Sequence, residues 1–203
     1  MDTQKPALAA LVLAGGKSSR MGKDKALIPW QGTPILKRVC QTAATCCQQV
    51  YILTAWSERY QDLLGEKYQY LKEFNPGQGP LVALAQGLAQ ITRDYSIDWI
   101  LLLACDLPQL ETEILKTWSN QLSQLPPETL ALVPRRREGW EPLCGFYRPA
   151  VRNSLQNFIE QGGRSFQVWL SNLPAQSIAV GEKEAKMLWN CNTPADLDLH
   201  FES

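Results

Sequence analysis

Short apolar runs, each bounded by glycine, proline or polar residues, recur through about the first 120 residues of the chain. Runs of about four to eight apolar residues between turn signals are typical of strands that are buried on both faces of a sheet. They predict four strands, over residues 7–14, 49–55, 68–74 and 98–104. The last of these, DWILLLA, is the strongest strand signal in the chain.

Between these runs, apolar residues recur every three or four positions, which is the period of an amphipathic helix. One helix is predicted to begin at Thr33-Pro34, with the threonine as N-cap and the proline in the first turn. Further helices are predicted over residues 57–64, 81–91 and 111–122. The segment NPGQGP, just before the 81–91 helix, is predicted to be a loop from its glycine and proline content.

Strands that alternate with helices predict a parallel sheet covered by helices on both faces. The pattern is more mixed near the carboxyl terminus, with strands predicted at 130–134 and 143–147 and helices at 150–161, 166–170 and 193–199. We therefore expect an α/β fold whose sheet is mainly parallel, with a mixed carboxyl-terminal part.

Composition narrows the possible partners and compartments. The chain has 203 residues, which suggests a single domain over 1–203 or one domain with a small lobe, and its 20 acidic and 20 basic residues cancel. A neutral chain of this kind gives no reason to expect nucleic acid or a membrane surface as a partner. No apolar run approaches the roughly 20 residues that span a bilayer, and the amino terminus lacks the features of a signal peptide, so we expect a cytoplasmic protein.

Six cysteines are present, and none forms a C-x-x-C pair. A zinc site and a disulfide framework are therefore not expected, and we expect no catalytic cysteine. The only histidine, His200, lies near the end of the chain, and we assign it no role. That removes catalytic triads built on histidine from consideration.

The first candidate site is the segment LAGGKSSRMGKDK, from Leu13 to Lys25, which follows the first predicted strand. Glycines let backbone N–H groups approach phosphate oxygens, and basic side chains offset the charge of a triphosphate. The segment is neither a Walker A loop nor a G-x-G-x-x-G dinucleotide fingerprint. The plainer alternative is a polar connecting loop that happens to carry four basic residues: Lys17, Arg20, Lys23 and Lys25.

The second candidate is Asp106 in the segment ACDLP, at the carboxyl end of the strongest predicted strand. Open parallel sheets bind ligands at this edge, and Mg²⁺ commonly takes one or two carboxylates together with substrate phosphates. The alternative is that Asp106 caps the helix that follows.

Three further features are open to two interpretations each. Glu73, just before the NPGQGP loop, either meets a ribose hydroxyl or faces water. The three consecutive arginines at 135–137 form either a solvated face or an anchor for a second anionic substrate. Asn190 and Asn192, in WNCNTPADL, are placed to bind the polar edge of a heterocycle, although Asn192 could instead complete the turn before Thr193.

These motifs together resemble those of the molybdenum cofactor guanylyltransferases, which synthesise molybdopterin-guanine dinucleotide. LAGGKSSRMGKDK is similar to the family signature L-A-G-G-x-x-x-R-M-G-x-D-K, ACDLP to C-D-x-P, and GPL at 79–81 to its G-P-L loop. EPLCGFYRP, GGRS and the terminal N-x-N-T-P of WNCNTPADL resemble later family motifs. The resemblance runs in order along nearly the whole chain.

The resemblance implies the nucleotide-diphospho-sugar transferase fold, a Rossmann-like three-layer α/β sandwich. It also implies Mg²⁺ as cofactor, with Asp106 as its ligand, and Lys25 and Asp106 as the catalytic pair. Where the family has an aspartate after the third strand, this chain has Glu73. The predicted GTP site comprises Leu13, Ala14, Gly15, Gly16, Arg20, Lys25, Glu73 and Asp106.

The implied reaction transfers GMP from Mg²⁺–GTP to the terminal phosphate of molybdopterin and releases pyrophosphate. An anionic phosphate attacks, so neither a protein nucleophile nor a general base is required, and catalysis depends on positioning and charge neutralisation. Residues 1–122 are expected to bind GTP, and residues 123–203, with Asn190 and Asn192, to bind molybdopterin. Other molybdenum cofactor biosynthesis proteins and the recipient molybdoenzymes are the expected protein partners.

Two alternatives remain open at this point. One is a transferase of the same fold that uses CTP or acts on a sugar phosphate, because the amino-terminal motif is shared loosely among such enzymes. The other is a carrier that keeps the fold but has lost the chemistry. The presence of both Lys25 and Asp106 favours an enzyme.

Overall fold

The computed structural model describes residues 5–15, 24–91 and 96–191. Within these residues there are ten strands: β1 (Leu8–Leu13), β2 (Pro29–Trp30), β3 (Thr33–Pro34), β4 (Gln49–Thr54), β5 (Gln69–Lys72), β6 (Trp99–Ala104), β7 (Ala131–Arg136), β8 (Gly139–Trp140), β9 (Cys144–Tyr147) and β10 (Ala175–Ala179). The same residues contain seven α-helices: α1 (Ile35–Ala43), α2 (Glu58–Leu64), α3 (Pro80–Ile91), α4 (Thr112–Ser119), α5 (Arg152–Glu160), α6 (Phe166–Ser171) and α7 (Glu182–Met187). Nowhere in them is a helix long and apolar enough to cross a membrane.

The predicted residues Gly16, Arg20 and Asn192 lie outside the described residues, as does the predicted helix over 193–199.

Strand β1 lies at the centre of the main sheet and decides where the site forms. It pairs in parallel with β4 on one side and with β6 on the other, and Leu13 is aligned with both Leu53 and Ala104. The three carboxyl ends therefore meet at one edge of the sheet. The strand order runs outward from β1 in both directions, with β4 on one side and β6 on the other. This edge is therefore the switch point at which open α/β sheets bind ligands.

The complete strand order is β10-β7-β9-β6-β1-β4-β5, with β8 paired to β7. Strand β9 runs antiparallel to both of its neighbours, β6 and β7, whereas β10 is parallel to β7. The sheet is thus parallel from β6 to β5 and mixed beyond β6. The same sheet continues without a break from residues before 122 into residues after it.

Two apolar clusters cover the two faces of this sheet. On β1, Ala10 and Val12 contribute to one cluster, while Ala9 and Leu11 contribute to the other. Helices α1, α2, α4 and α7 pack in the first cluster, and α3, α5 and α6 in the second. Gly87 lets α3 approach β1 closely, because a methyl group there would overlap the side chain of Leu11. The predicted three-layer α/β fold is confirmed.

The prediction of Thr33 as a helix N-cap is wrong. Thr33 pairs with Trp30 in the β2–β3 hairpin, and α1 begins at Ile35 with Pro34 as its N-cap and no side-chain capping bond. The hairpin turns through Gln31 and Gly32, both with positive φ. Two-residue strands carry too few residues to show an alternating pattern, so the Thr-Pro signal was interpreted as a helix start.

Candidate active site

A cavity of about 310 Å³ opens at the carboxyl ends of β1, β4 and β6. Apolar residues form much of its wall, and a few ionisable groups converge on it, which is typical of a ligand site. It is lined by Leu13, Ala14, Gly15, Asp24, Lys25, Leu53, Glu73, Gly77, Gly79, Pro80, Ala83, Ala104, Cys105, Asp106 and Leu143. All six predicted GTP-site residues that the structure describes are in this set.

Lys25 and Asp106 meet in this cavity although 80 residues separate them. The Lys25 Nζ lies 3.8 Å from the Asp106 Oδ2, and both side chains are 21% exposed. Burial raises the pKa of Asp106 above its usual value, and the ammonium of Lys25 acts in the opposite direction. The next α-helix begins only at Thr112, with Glu111 as its N-cap, so the alternative of Asp106 as a helix cap is wrong.

The turn that carries Asp106 is held from two sides. On α1, the Arg38 Nε donates a hydrogen bond of 2.8 Å to the Pro108 carbonyl. The Cys191 amide donates one of 3.0 Å to the carbonyl of Asp106 itself. The segment before Cys191 also packs through Trp189 against Trp30, with ring centroids 5.9 Å apart. The carboxyl-terminal segment is thus directly bonded to the backbone of the candidate metal ligand.

Lys25 is placed by a short 3₁₀ helix, Lys25–Leu27, that Asp24 caps. The Asp24 Oδ1 accepts a hydrogen bond of 3.1 Å from the Ala26 amide, and its Oδ2 accepts one of 2.7 Å from the Tyr60 hydroxyl. Neither Asp24 nor Tyr60 is among the predicted site residues. An aspartate before a short helix is a recognisable N-cap signal, so Asp24 could have been found. Tyr60 could not, because no local pattern links it to a residue 36 positions away.

Glu73 follows β5 and lies against Gly15. Glu73 is only 5% exposed, and its Oε2 has no hydrogen-bond partner within the described part of the chain. A Cβ at residue 15 would collide with this oxygen, so the glycine is required for the carboxylate to reach the cavity. Burial raises the pKa of Glu73. A buried carboxylate oxygen without a donor is costly, and a donor from a ligand would offset that cost.

Cys105, beside Asp106, also lines the cavity. Burial raises the pKa of its thiol far above the usual range, and the negative charge of Asp106 acts in the same direction. The thiolate is the nucleophilic form of cysteine. The environment of Cys105 therefore disfavours covalent chemistry at this sulfur, and the absence of a catalytic cysteine stays a prediction.

Asn190 and the arginines at 135–137, the candidate acceptor residues that the structure describes, lie apart from the cavity lining. Asn190 is exposed, although its neighbour Cys191 is bonded to Asp106. The Arg136 Nε lies 2.7 Å from the Glu141 Oε1, and the Arg135 guanidinium stacks over Trp140 at 4.7 Å from the ring centroid. Two of the three arginines therefore have partners within the β7–β8 region. The role of Asn190 and of these arginines toward an acceptor stays a prediction.

Comparison with known proteins agrees with this geometry. Residues 10–176 match the model of the MobA-like NTP transferase domain. A probable molybdenum cofactor guanylyltransferase from Trichormus variabilis is 52% identical over 94% of this chain and 88% of its own length. A molybdenum cofactor guanylyltransferase from Yersinia pestis is 30% identical over 96% and 95% of the two chains.

Among solved structures, molybdopterin-guanine dinucleotide biosynthesis protein A from Archaeoglobus fulgidus superposes with a TM-score of 0.75. It covers 94% of this chain and 95% of its own length at 22% identity, which shows a shared fold. The shared fold alone does not identify the family, but the matched family model and the relatives do. The chain belongs to the MobA-like NTP transferase family and is a nucleotidyltransferase of the molybdenum cofactor guanylyltransferase type.

Proposed function

We propose that this enzyme transfers GMP from Mg²⁺–GTP to the terminal phosphate of molybdopterin, forming the guanine dinucleotide and releasing pyrophosphate. The observation that carries the proposal is the Lys25–Asp106 pair, a cation and a carboxylate 3.8 Å apart in a cavity at the switch point of the sheet. The names of the close relatives support guanylyl transfer over the other reactions that this fold hosts.

In this proposal the nucleoside of GTP lies along Leu13, Ala14 and Gly15, whose backbone borders the cavity. The ammonium of Lys25 contacts phosphate oxygens and stabilises the negative charge that builds up as pyrophosphate leaves. The molybdopterin phosphate attacks the α-phosphorus, a new P–O bond forms, and the bond to the pyrophosphate breaks. The attacking oxygen is already anionic, so the protein moves no proton in this step.

Asp106 fits the requirements of a Mg²⁺ ligand. It is a hard oxygen donor at the cavity wall, and its main-chain turn is fixed by bonds from Arg38 and Cys191. A bound Mg²⁺ would supply positive charge to the phosphates beside that of Lys25. The role of the protein would be to hold the carboxylate in place and to keep the triphosphate aligned for attack.

The decisive experiment measures pyrophosphate release with GTP, ATP, CTP and UTP, each with and without molybdopterin. We expect release only with GTP and molybdopterin together. Comparable release with CTP would replace the proposal by a cytidylyltransferase. Molybdopterin binding without release from any nucleotide would identify a carrier.

Replacing Glu73 with glutamine should raise the KM for GTP about tenfold while changing kcat little. Glu73 is proposed to accept a hydrogen bond from a ribose hydroxyl, since its orphan Oε2 lies at Gly15, next to the backbone assigned to the nucleoside. Such a bond acts equally in the ground and transition states, so it affects binding. The wild-type enzyme should prefer GTP over its 2′-deoxy or 3′-deoxy analogue, and Glu73→Gln, whose neutral amide oxygen is a weaker acceptor, should lose most of that preference.

The control for Glu73 is Glu113→Gln, a surface residue that pairs with Lys116 away from the cavity. It should leave the KM for GTP and the preference for the ribonucleotide unchanged. If Glu73→Gln kept a normal KM and the full preference, the carboxylate would not contact the ribose.

Replacing Asn190 with alanine should weaken molybdopterin binding about tenfold and leave GTP binding unchanged. Asn190 lies outside the cavity assigned to GTP, but its neighbour Cys191 donates a hydrogen bond to the Asp106 carbonyl, which supports a role for Asn190 near the acceptor. GTP binding and molybdopterin binding should be measured separately in Asn190→Ala, in Asn192→Ala and in Asn172→Ala, which is the surface control. Selective loss of GTP binding, or unchanged molybdopterin binding in both Asn190→Ala and Asn192→Ala, would contradict the assignment of the two substrates to different halves of the chain.

A further inference from the structure

One buried tyrosine connects the two ends of the segment that begins after Ala14 and ends at Asp24. Tyr60, on α2, is 1% exposed. Its hydroxyl lies 2.7 Å from the Asp24 Oδ2 and 3.4 Å from the Ala14 carbonyl oxygen. A phenol has one proton, so the short contact to the carboxylate is the strong hydrogen bond and the longer one is a weaker branch. Ala14 leads into Gly15, and Asp24 precedes Lys25, so a single oxygen touches both sides of the glycine-rich segment.

The bond from Tyr60 bears directly on the orientation of Lys25. The two oxygens of Asp24 have separate tasks: Oδ2 accepts from Tyr60, and Oδ1 accepts from the Ala26 amide. The second bond caps the 3₁₀ helix whose first residue is Lys25. Fixing the carboxylate therefore fixes the start of that helix, and with it the stem of the side chain that reaches Asp106.

Arg59 is the second group near Asp24, and its interaction with the carboxylate is weaker than that of Tyr60. The Arg59 Nη1 lies 3.9 Å from the Asp24 Oδ2, and the Arg59 side chain is 50% exposed and lies over the Trp56 ring. Exposed ion pairs at this distance are screened by water and contribute little. Tyr60 is in contrast held firmly, because its ring lies in the core and its carbonyl accepts a hydrogen bond of 3.3 Å from the Tyr70 hydroxyl.

Tyr60 also remains a donor throughout the working pH range. Burial raises its pKa well above the usual value, and the bond to Asp24 raises it further. The raised pKa favours the protonated form of the hydroxyl, which is the form that donates to Asp24.

We propose that Tyr60 is a positioning residue of the transferase site, which orients Lys25 toward the triphosphate by holding Asp24 against the entry of the glycine-rich segment. The inference rests on the proposed function for its consequence in catalysis, and on the hydrogen bonds of Asp24 for its structural basis. Tyr60 does not touch the reacting atoms. It acts only through Asp24 and Lys25.

The test is a double-mutant cycle between Tyr60→Phe and Lys25→Ala. Tyr60→Phe should lower kcat/KM for GTP about tenfold, the value of one hydrogen bond to a charged group. In the Lys25→Ala background the same change should have almost no further effect, because there is no ammonium left to orient. A merely structural role of the hydroxyl would give losses that multiply. Tyr68→Phe, in the same core cluster, is the matched control and should be nearly neutral.

A second readout does not depend on activity. Hydrogen–deuterium exchange should be faster at the Ala26 and Leu27 amides in Tyr60→Phe than in the wild type or Tyr68→Phe, since the cap on the 3₁₀ helix is loosened. Asp24→Asn, which keeps the shape of the cap with a weaker acceptor, should change the exchange in the same direction and be equally non-additive with Lys25→Ala.

Unchanged exchange at these amides, or losses that multiply in the cycle, would overturn the role of Tyr60. The proposed function fails in a different way, namely when the wild-type enzyme releases no pyrophosphate from GTP. In that case faster exchange in Tyr60→Phe would still support the mechanical link, and unchanged exchange would still refute it.

Discussion

Asp106→Asn should slow pyrophosphate release from GTP by about 100-fold or more, the cost of losing a key electrostatic contact in an active site. Asparagine has nearly the same shape as aspartate, so the turn held by Arg38 and Cys191 should survive. What is lost is the negative charge that a Mg²⁺ ion requires and that the Lys25 ammonium faces at 3.8 Å. The measurement is turnover against Mg²⁺ concentration, with direct Mn²⁺ binding as a readout independent of activity.

Two matched variants make the result specific to Asp106. Asp98 lies just before the amino end of the same strand, where it accepts a hydrogen bond from the Ala7 amide, so Asp98→Asn should leave turnover and metal binding unchanged. Cys105→Ser changes the adjacent residue and should keep most of the activity, because burial raises the pKa of its thiol and disfavours the reactive thiolate. Near-normal turnover of Asp106→Asn with Mg²⁺ would show that another group binds the metal. Inactivation of a folded Cys105→Ser protein would indicate a sulfur contact in the site.

The centre of the fold could be predicted from the sequence because it obeys one simple rule. Strands β1, β4 and β6 are buried on both faces, and a strand of that kind has to be continuously apolar. The rule also identified the carboxyl edge of the sheet. Asp106 could be predicted as a site residue for this reason, since it lies just past the end of β6.

The rule fails where an element is short or lies at an edge. Strands β2, β3 and β8 have two residues each, which is too few for a pattern. Strand β10 is an edge strand with mostly exposed or half-buried residues, so it lacks the apolar run that marked the central strands. Helix α7 has only six residues, and Met187 is the one that the core buries.

The contacts that set the geometry of the site are equally invisible to local patterns. Lys25 was expected to contact phosphates, but its meeting with Asp106 depends on the parallel register of β1 and β6, which aligns Leu13 with Ala104. The bond from Tyr60 to Asp24 and the bond from Cys191 to Asp106 join residues far apart in the chain. Resemblance to a family predicted the residues of the candidate ligand site, whereas the residues that hold them in place were found only in the three-dimensional structure.

Lys25→Ala should lower kcat/KM for GTP by about 100-fold. The cap formed by Asp24 fixes the backbone at Lys25, and the Lys25 ammonium lies 3.8 Å from the Asp106 carboxylate, so its charge is delivered at a defined place in the cavity. Lys25→Arg keeps the charge but changes its shape and reach, and it should recover only part of the loss. Lys116→Ala, which removes a surface lysine paired with Glu113, should have no effect.

The neighbouring lysines, Lys17 and Lys23, test whether Lys25 makes a specific contact with the phosphates or only adds to the positive charge of the loop. Lys17→Ala and Lys23→Ala remove the same charge from the same segment of the chain. A charge that acts only through the general field of the site is screened by salt, whereas a half-buried ammonium in direct contact with its partner is screened much less. The loss in Lys25→Ala should therefore be the largest of the three and should persist at high ionic strength. Equal losses from all three variants, decreasing together as salt is added, would contradict a dedicated role for Lys25.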